Sequence, residues 1–264
     1  GFDLNDGPLI RATVMTLGAG RHVLLLSNHH LVLDGWSLPV LFEELSVLYG
    51  SERDGSVPDL GRVFSWRDHL EWLGSRDRAS AEAYWGRHLA PVVAPSRLLL
   101  APPGSPGTGM GERSVSLDGA LSRTLEVFAR QHGLTPATVL QGLYGLLLAR
   151  LSGQDEIVIG SVRSGRSSLR PGLDRALGLF IETLPLYLSL SGDVGLGEWL
   201  RGQQSEQADQ EAHGHLGLTS IQGLSGFSGS ALFEALFVYE NYPIGGAGGS
   251  FAHLEVSEII GVDG

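Results

Sequence analysis

Short apolar runs alternate along this chain with longer segments in which apolar residues recur every three or four positions, which predicts a mixture of strands and helices. Near the start, Asn5-Asp6-Gly7-Pro8 reads as a turn, and Leu9, Arg11, Thr13 and Met15 then share one side of an alternating strand. The apolar run His22-Val23-Leu24-Leu25-Leu26 predicts a second strand reaching residue 28, antiparallel to the first around Gly18-Ala19-Gly20. Ser37 is a good N-cap and Pro39 is tolerable in a first helical turn. Leu38, Leu41, Phe42, Leu45 and Leu48 then fall on one face, so a helix is expected over 37–49. Residues 65–89 read as one or two helices, with Trp66, Leu70, Leu73, Tyr84, Trp85 and Leu89 at helical spacing and expected in the core.

Residues 90–112 hold five of the twelve prolines and four glycines, the composition of a spacer between lobes. Its Gly107-Thr108-Gly109-Met110-Gly111 is no dinucleotide fingerprint, because no strand leads into it. Beyond it, Leu121, Leu125 and Phe128 mark a helix ending at His132-Gly133. Thr135-Pro136 then opens another through Val139, Leu140, Leu143, Leu147 and Leu151 to Gly153. Strands are expected over 156–162 and within 178–190, where Leu184, Leu186, Leu188 and Leu190 alternate; a helix over 196–212 and a strand in the run that starts at Leu232 follow.

With 264 residues, 42% of them hydrophobic, the chain can bury one large core or two smaller ones. The net charge of -11 argues against nucleic acid as a partner, since phosphate binding wants a basic face. No apolar run reaches transmembrane length, no signal peptide opens the chain and cysteine is absent, so no membrane partner and a cytoplasmic setting are expected. The start at Gly1 and the end at Val262-Asp263-Gly264 suggest an excerpt of something longer.

Concentrated chemistry occurs in one stretch, Ser27-Asn28-His29-His30-Leu31-Val32-Leu33-Asp34-Gly35-Trp36-Ser37. Adjacent side chains on a strand point to opposite faces, so His29 and His30 would not share one cavity. That geometry, with no further ligand cluster in the chain, counts against a metal site. The sequence also lacks a Gly-x-Ser-x-Gly elbow and a Walker A loop, leaving serine hydrolase and nucleotide hydrolase chemistry without support. On spacing alone, a lone histidine at a strand end is as compatible with a structural role as with catalysis.

The pattern His29-His30-Leu31-Val32-Leu33-Asp34-Gly35 resembles the HHxxxDG motif of condensation domains of nonribosomal peptide synthetases, relatives of chloramphenicol acetyltransferase. Further segments are similar to the same family: Phe2 to Arg11 upstream, Tyr84-Trp85 through Leu89, Ile157-Val158-Ile159-Gly160 through Ser164-Gly165-Arg166, Gly178-Leu179-Phe180-Ile181-Glu182-Thr183-Leu184-Pro185, and His213 through Pro243. Two positions depart from that wording: Glu182 stands where asparagine is usual, and Arg163 interrupts the stretch before Ser164-Gly165-Arg166. Both put substrate choice in question more than reaction class.

The resemblance implies an α/β fold of two chloramphenicol-acetyltransferase-like lobes, each a mixed sheet with helices and both incomplete here. On that basis residues 1–94 form the C-terminal part of an N-lobe, 95–112 the inter-lobe linker, and 113–264 a C-lobe lacking its end. The implied activity is amide formation between a donor thioester and an acceptor aminoacyl amine. Both would ride on phosphopantetheine of peptidyl carrier domains beside an adenylation domain, with no cofactor bound by this domain and no metal. His30 would be the catalytic histidine, His29 would face the core, and Asp34 and Gly35 would shape the loop. The family's aspartate usually pairs with an arginine of the early N-lobe, which would place Asp34's partner upstream of residue 1. An epimerization domain, or an acyltransferase using free coenzyme A, is the alternative within the superfamily.

Overall fold

The structure is a computed structural model that describes residues 1–98, 111–166, 170–190, 192–227, 230–241 and 255–260. Most of the expected spacer, Tyr242-Pro243 of the last family-like run, and Val262 to Gly264 lie outside the described residues. The chain is a mixed α/β protein that divides into two compact units interleaved in sequence. Unit 1 holds Gly1–Glu71, Ser164–Ile181 and Glu240–Gly264; unit 2 holds Trp72–Arg163 and Glu182–Tyr239.

In unit 1, strands β1 (Ile10–Gly18) and β2 (Arg21–Asn28) pair antiparallel, with the chain reversing through Gly20 at φ 72°. Among the described residues this hairpin is the unit's sheet, where a mixed sheet was expected. Helix α1 spans Ser37–Asp54 and ends on Gly55, whose left-handed φ of 68° lets its N–H donate back to Ser51 O. It runs past the expected end at 49 because Gly50 is buried inside it and the left-handed stop comes only at Gly55. Its start also differs from the expectation: Ser37 is the first helical residue and not the cap, and its free N–H is taken by the Asp34 carboxylate.

Helix α2 (Trp66–Gly74) is separate from α3 (Arg78–Leu89), which Asp77 caps by accepting from Ser80 N. The aromatic pattern expected in the core divides accordingly. Trp85 and Leu89 of α3 are fully buried, whereas Leu70 of α2 is 59% exposed and Trp66 is also exposed. Burial on α2 centres on His69 instead, so helical spacing located the helix but not its buried face.

Unit 2 continues with α4 (Gly119–His132), α5 (Pro136–Ser152), β3 (Glu156–Arg163), β4 (Glu182–Ser189), α6 (Leu196–His213), α7 (Leu218–Leu224) and β5 (Leu236–Val238). The signals read from sequence act as such: Thr135 Oγ1 accepts from Thr138 N, and Gly133 and Gly153 end their helices with positive φ. The sheet order is β4-β3-β5, antiparallel on one side of β3 and parallel on the other. As a central strand β3 is covered on both faces. Val158 packs with Trp85, Ile221 and Leu232, while Ile157 and Ile159 pack with Leu148, Leu186 and Leu188. Ser96, the second residue of the expected inter-lobe linker, is held in this unit: its Oγ accepts from Val158 N at 2.7 Å and its N–H donates to Leu232 O. Among the described residues no helix is long and apolar enough to cross a membrane.

Candidate functional site

β2 delivers the two histidines to the turn that follows it. His29 N donates to Leu9 O at 2.8 Å, one step past the hairpin ladder, and the chain then turns as Val32 N donates to His29 O. The His29 ring is half-buried: Nδ1 accepts from Leu31 N at 3.1 Å and the ring meets Phe2 edge-on. His30 lies in the turn and is exposed. Of the two, His29 is the more covered and His30 the exposed one, and both lie past the end of β2, where strand alternation no longer sets their directions. The assignment of His30 as the reacting side chain remains a proposal.

Asp34 is 2% exposed and its carboxylate is the hub of unit 1. Oδ1 accepts from Ser37 N at 2.9 Å, lies 2.9 Å from Ser37 Oγ, and accepts from Arg166 Nη2 at 3.0 Å. Oδ2 accepts from Arg166 Nη1 at 2.7 Å and from Phe180 N at 3.0 Å. Burial by itself pushes the pKa of this acid up. The Arg166 hydrogen bonds, the Phe180 N–H, the Arg166 charge and Ser37 outweigh it, and the pKa lies below the usual carboxylate value. Ser37 extends the lock, with its Oγ accepting from Gly178 N at 3.0 Å and lying 2.9 Å from Gly178 O, while Asp34 N donates to Gly178 O. Gly35 sits half-buried in the turn between Asp34 and the helix.

Arg166 corrects the expectation that the partner of Asp34 precedes residue 1. Its side chain is 5% exposed, donates through Nη2 to Ala176 O, and lies over the Phe180 ring at 4.7 Å. Phe180 in turn stacks on Trp66 at 4.6 Å, and Trp66 Nε1 donates to Leu177 O. Two glycines make this approach possible. At Gly165, with φ 61°, a Cβ would sit 1.7 Å from Phe180 O; at Gly178, with φ 155°, it would sit 2.4 Å from the Trp66 indole. Ser164-Gly165-Arg166 and Gly178-Leu179-Phe180 stand in the sequence as family-like stretches, and nothing local in them points to Asp34. The signal that could have found Arg166 is that, of the three arginines in residues 164–181, it is the one directly after a loop glycine, in a chain whose central motif holds an acid.

No group of three or more His, Asp or Glu side chains among the described residues could hold a metal ion. What the arrangement can do is hold a loop rigidly by an ion pair at its base while presenting an imidazole to solvent at its tip.

Comparison with known proteins places this geometry. Residues 1–258 match the family described as the Condensation domain. A linear gramicidin synthase of Brevibacillus parabrevis is 35% identical over 253 residues, covering 93% of this chain and 3% of that protein. Vanchrobactin synthetase VabF of Vibrio anguillarum is 38% identical over 245 residues, covering 92% of this chain and 8% of that protein. The first condensation domain of the calcium-dependent antibiotic synthetase superposes with TM-score 0.66 at 22% identity, covering 89% of this chain and 55% of that one. The X-domain from teicoplanin biosynthesis gives TM-score 0.72, also at 22% identity and with the same coverage. The chain thus spans a few per cent of the curated relatives cited and about half of the solved domains.

Proposed function

This chain belongs to the condensation-domain family, and we propose that it contributes the histidine loop of a domain that joins a carrier-bound acyl or peptidyl donor to a carrier-bound aminoacyl acceptor. The observation that carries the reading is the division of labour within HHxxxDG: Asp34 is fully engaged at the base of the loop, and His30 is exposed at its tip.

In this reaction the acceptor amine attacks the thioester carbonyl carbon and a tetrahedral intermediate forms. The carbon–sulfur bond then breaks, the thiolate leaves, and the amine gives up a proton. An α-amino group titrates near 7.7 to 8.0 in model peptides, so an appreciable minority is already neutral at pH 7. General base catalysis commonly contributes about 10²- to 10⁴-fold, whereas holding two tethered reactants in place can supply roughly 7–11 kcal/mol. In this reading His30 acts first as a hydrogen-bonding positioner of the nucleophile or intermediate and secondarily as the group that takes the proton. Asp34 is no proton acceptor here: it is ionised, buried and bonded on both oxygens.

The partners implied are donor and acceptor carrier domains and an adjacent adenylation domain, with the substrates on phosphopantetheine arms and no cofactor held by this domain. The setting is cytoplasmic. The test is amide formation by the protein at its natural length, with donors supplied on a carrier domain or on free coenzyme A. Product from the carrier-bound donor supports condensation. Product from coenzyme A alone would move the protein to the free-thioester acyltransferases, and inversion of a carrier-bound aminoacyl group without amide product would make it an epimerization domain.

A further inference from the structure

Arg163 and Glu182 are the two departures from the family wording, and the sheet makes them neighbours. Arg163 is the last residue of β3, Glu182 the first of β4, and they are antiparallel register partners. Residues so paired have Cα atoms about 4.5–5.5 Å apart. The chain between them, 164–181, carries Arg166, Gly178 and Phe180, the groups that hold Asp34. The two charges therefore stand at the two ends of the segment that builds the lock.

Each charge has its own surroundings. Arg163 Nη1 donates to Gln207 O at 2.7 Å and Nη2 to Gln210 Oε1. Gln210 is fully buried, and its Nε2 is 3.1 Å from His88 Nε2; His88 Nδ1 is 2.8 Å from Glu206. Amide, imidazole and carboxylate thus lead from the guanidinium across α6 and α3, with neutral groups in direct contact with it. The Glu182 carboxylate lies against Gly214, where a Cβ would come 2.9 Å from Oε2, so this glycine, between His213 and His215, makes room for it. The charged groups acting on Glu182 are Arg163 of β3 and Glu211 of α6, and Tyr84 of α3 acts on Arg163. Burial pushes the Glu182 carboxyl up to about 7, against the pull of Arg163 and with the push of Glu211. A half-buried carboxylate is costly once ionised, and the Arg163 charge offsets part of that cost, while Arg163 itself is held by neutral groups.

We propose that Arg163 and Glu182 act as one positioning pair, which fixes the two ends of segment 164–181 and thereby seats Arg166 and Phe180 on Asp34. The consequence for turnover rests on the amide-forming function proposed above; the consequence for the lock does not.

Hydrogen exchange at the amides of Gly178 and Phe180, whose N–H groups close the lock, reads the pair directly in the natural-length protein, through protection factors that remove the intrinsic effect of pH. Arg163→Met strands the carboxylate once Glu182 ionises. Protection at these two amides should fall about tenfold or more as pH rises from 6 to 8.5, while Ile159 and Leu186 in the sheet stay protected. Arg163→Met/Glu182→Gln should hold within about threefold of the parent at both pH values, and Arg163→Lys, which keeps the charge, should stay protected. Where Arg163→Met folds at pH 6 but not at 8.5, recovery on adding Glu182→Gln is the same result. Equal protection in Arg163→Met and parent at pH 8.5, a loss independent of pH, or no recovery in the double variant would overturn the pairing. With carrier-bound alanyl groups as probe substrates, kcat should follow protection with KM unchanged. An intact protection cycle in a parent that forms no amide with any aminoacyl carrier would sink the proposed function and leave the pair standing.

Discussion

Arg166 grips Asp34 with two parallel hydrogen bonds, 2.7 and 3.0 Å long, across 132 positions of sequence. Planar guanidinium and carboxylate match in this geometry, and both side chains are shut off from water. Breaking such a pair from one side leaves an uncompensated charge, typically at a cost of about 3–5 kcal/mol. Asp34→Ala and Arg166→Ala should each destabilise by that order in urea titrations, and Asp34→Leu/Arg166→Met by less than either. Lost turnover with an unchanged unfolding midpoint in Asp34→Ala would move this residue from scaffold to chemistry.

The same pair fixes an acid limb. The folded-state pKa of Asp34 is depressed, so the stability it contributes is present above its ordinary value of 3.8 and is lost as pH falls below that toward the folded value. Asp34→Asn should be less stable than the parent at pH 7, with the gap closing at the most acid pH the fold survives. A gap that widened on acidification would contradict the sign.

Glu182 has the opposite sign. Its folded value of about 7 exceeds the usual 4.5, so the folded state favours the protonated acid, and stability declines as pH rises from about 4.5 through about 7. Glu182→Gln should therefore melt higher than the parent at pH 8 and close to it at pH 5. Equal melting temperatures at pH 8 would show the carboxyl to be well solvated.

The two histidines should separate stability from turnover. His30→Ala removes an exposed side chain and should leave the melting temperature nearly unchanged while amide formation drops about 10²-fold or more, with little rescue at raised pH if positioning dominates. His29→Ala loses the acceptor for Leu31 N and the contact with Phe2, and should cost about 1 kcal/mol. Reversed outcomes would exchange their roles.

Glycine substitutions test how closely the lock is built. Gly165→Ala drives a methyl group into Phe180 O, a backbone atom, at a positive φ, and should cost about 1–3 kcal/mol or more. Gly178→Ala meets the Trp66 indole, a side chain that can swing, so the smaller loss is expected there, read by thermal unfolding. The exposed hairpin supplies a separate check: Val14 and Leu17 are 68% and 61% exposed, and Val14→Lys/Leu17→Lys should reduce light scattering of the 264-residue chain.

Sequence periodicity and punctuation located most of the elements, because a strand's alternation, a capping threonine before proline and a glycine at a helix end are local constraints. Thr135-Pro136, Gly133 and Gly153 act where they were read, and Leu184, Leu186 and Leu188 point into the core as their alternation requires. Helical spacing could not say that Leu70 would stay exposed, since a helix's buried face depends on what packs against it. The motif likewise singled out His29, His30, Asp34 and Gly35 but not what closes around them. That depends on a loop more than a hundred residues away, on two glycines that let backbone meet backbone and indole, and on an arginine whose partner becomes apparent only once both are withdrawn from water. The chemistry of the loop was written in eleven consecutive residues. Its rigidity was decided by tertiary structure, because a buried charge is stable only where the fold brings its counter-charge.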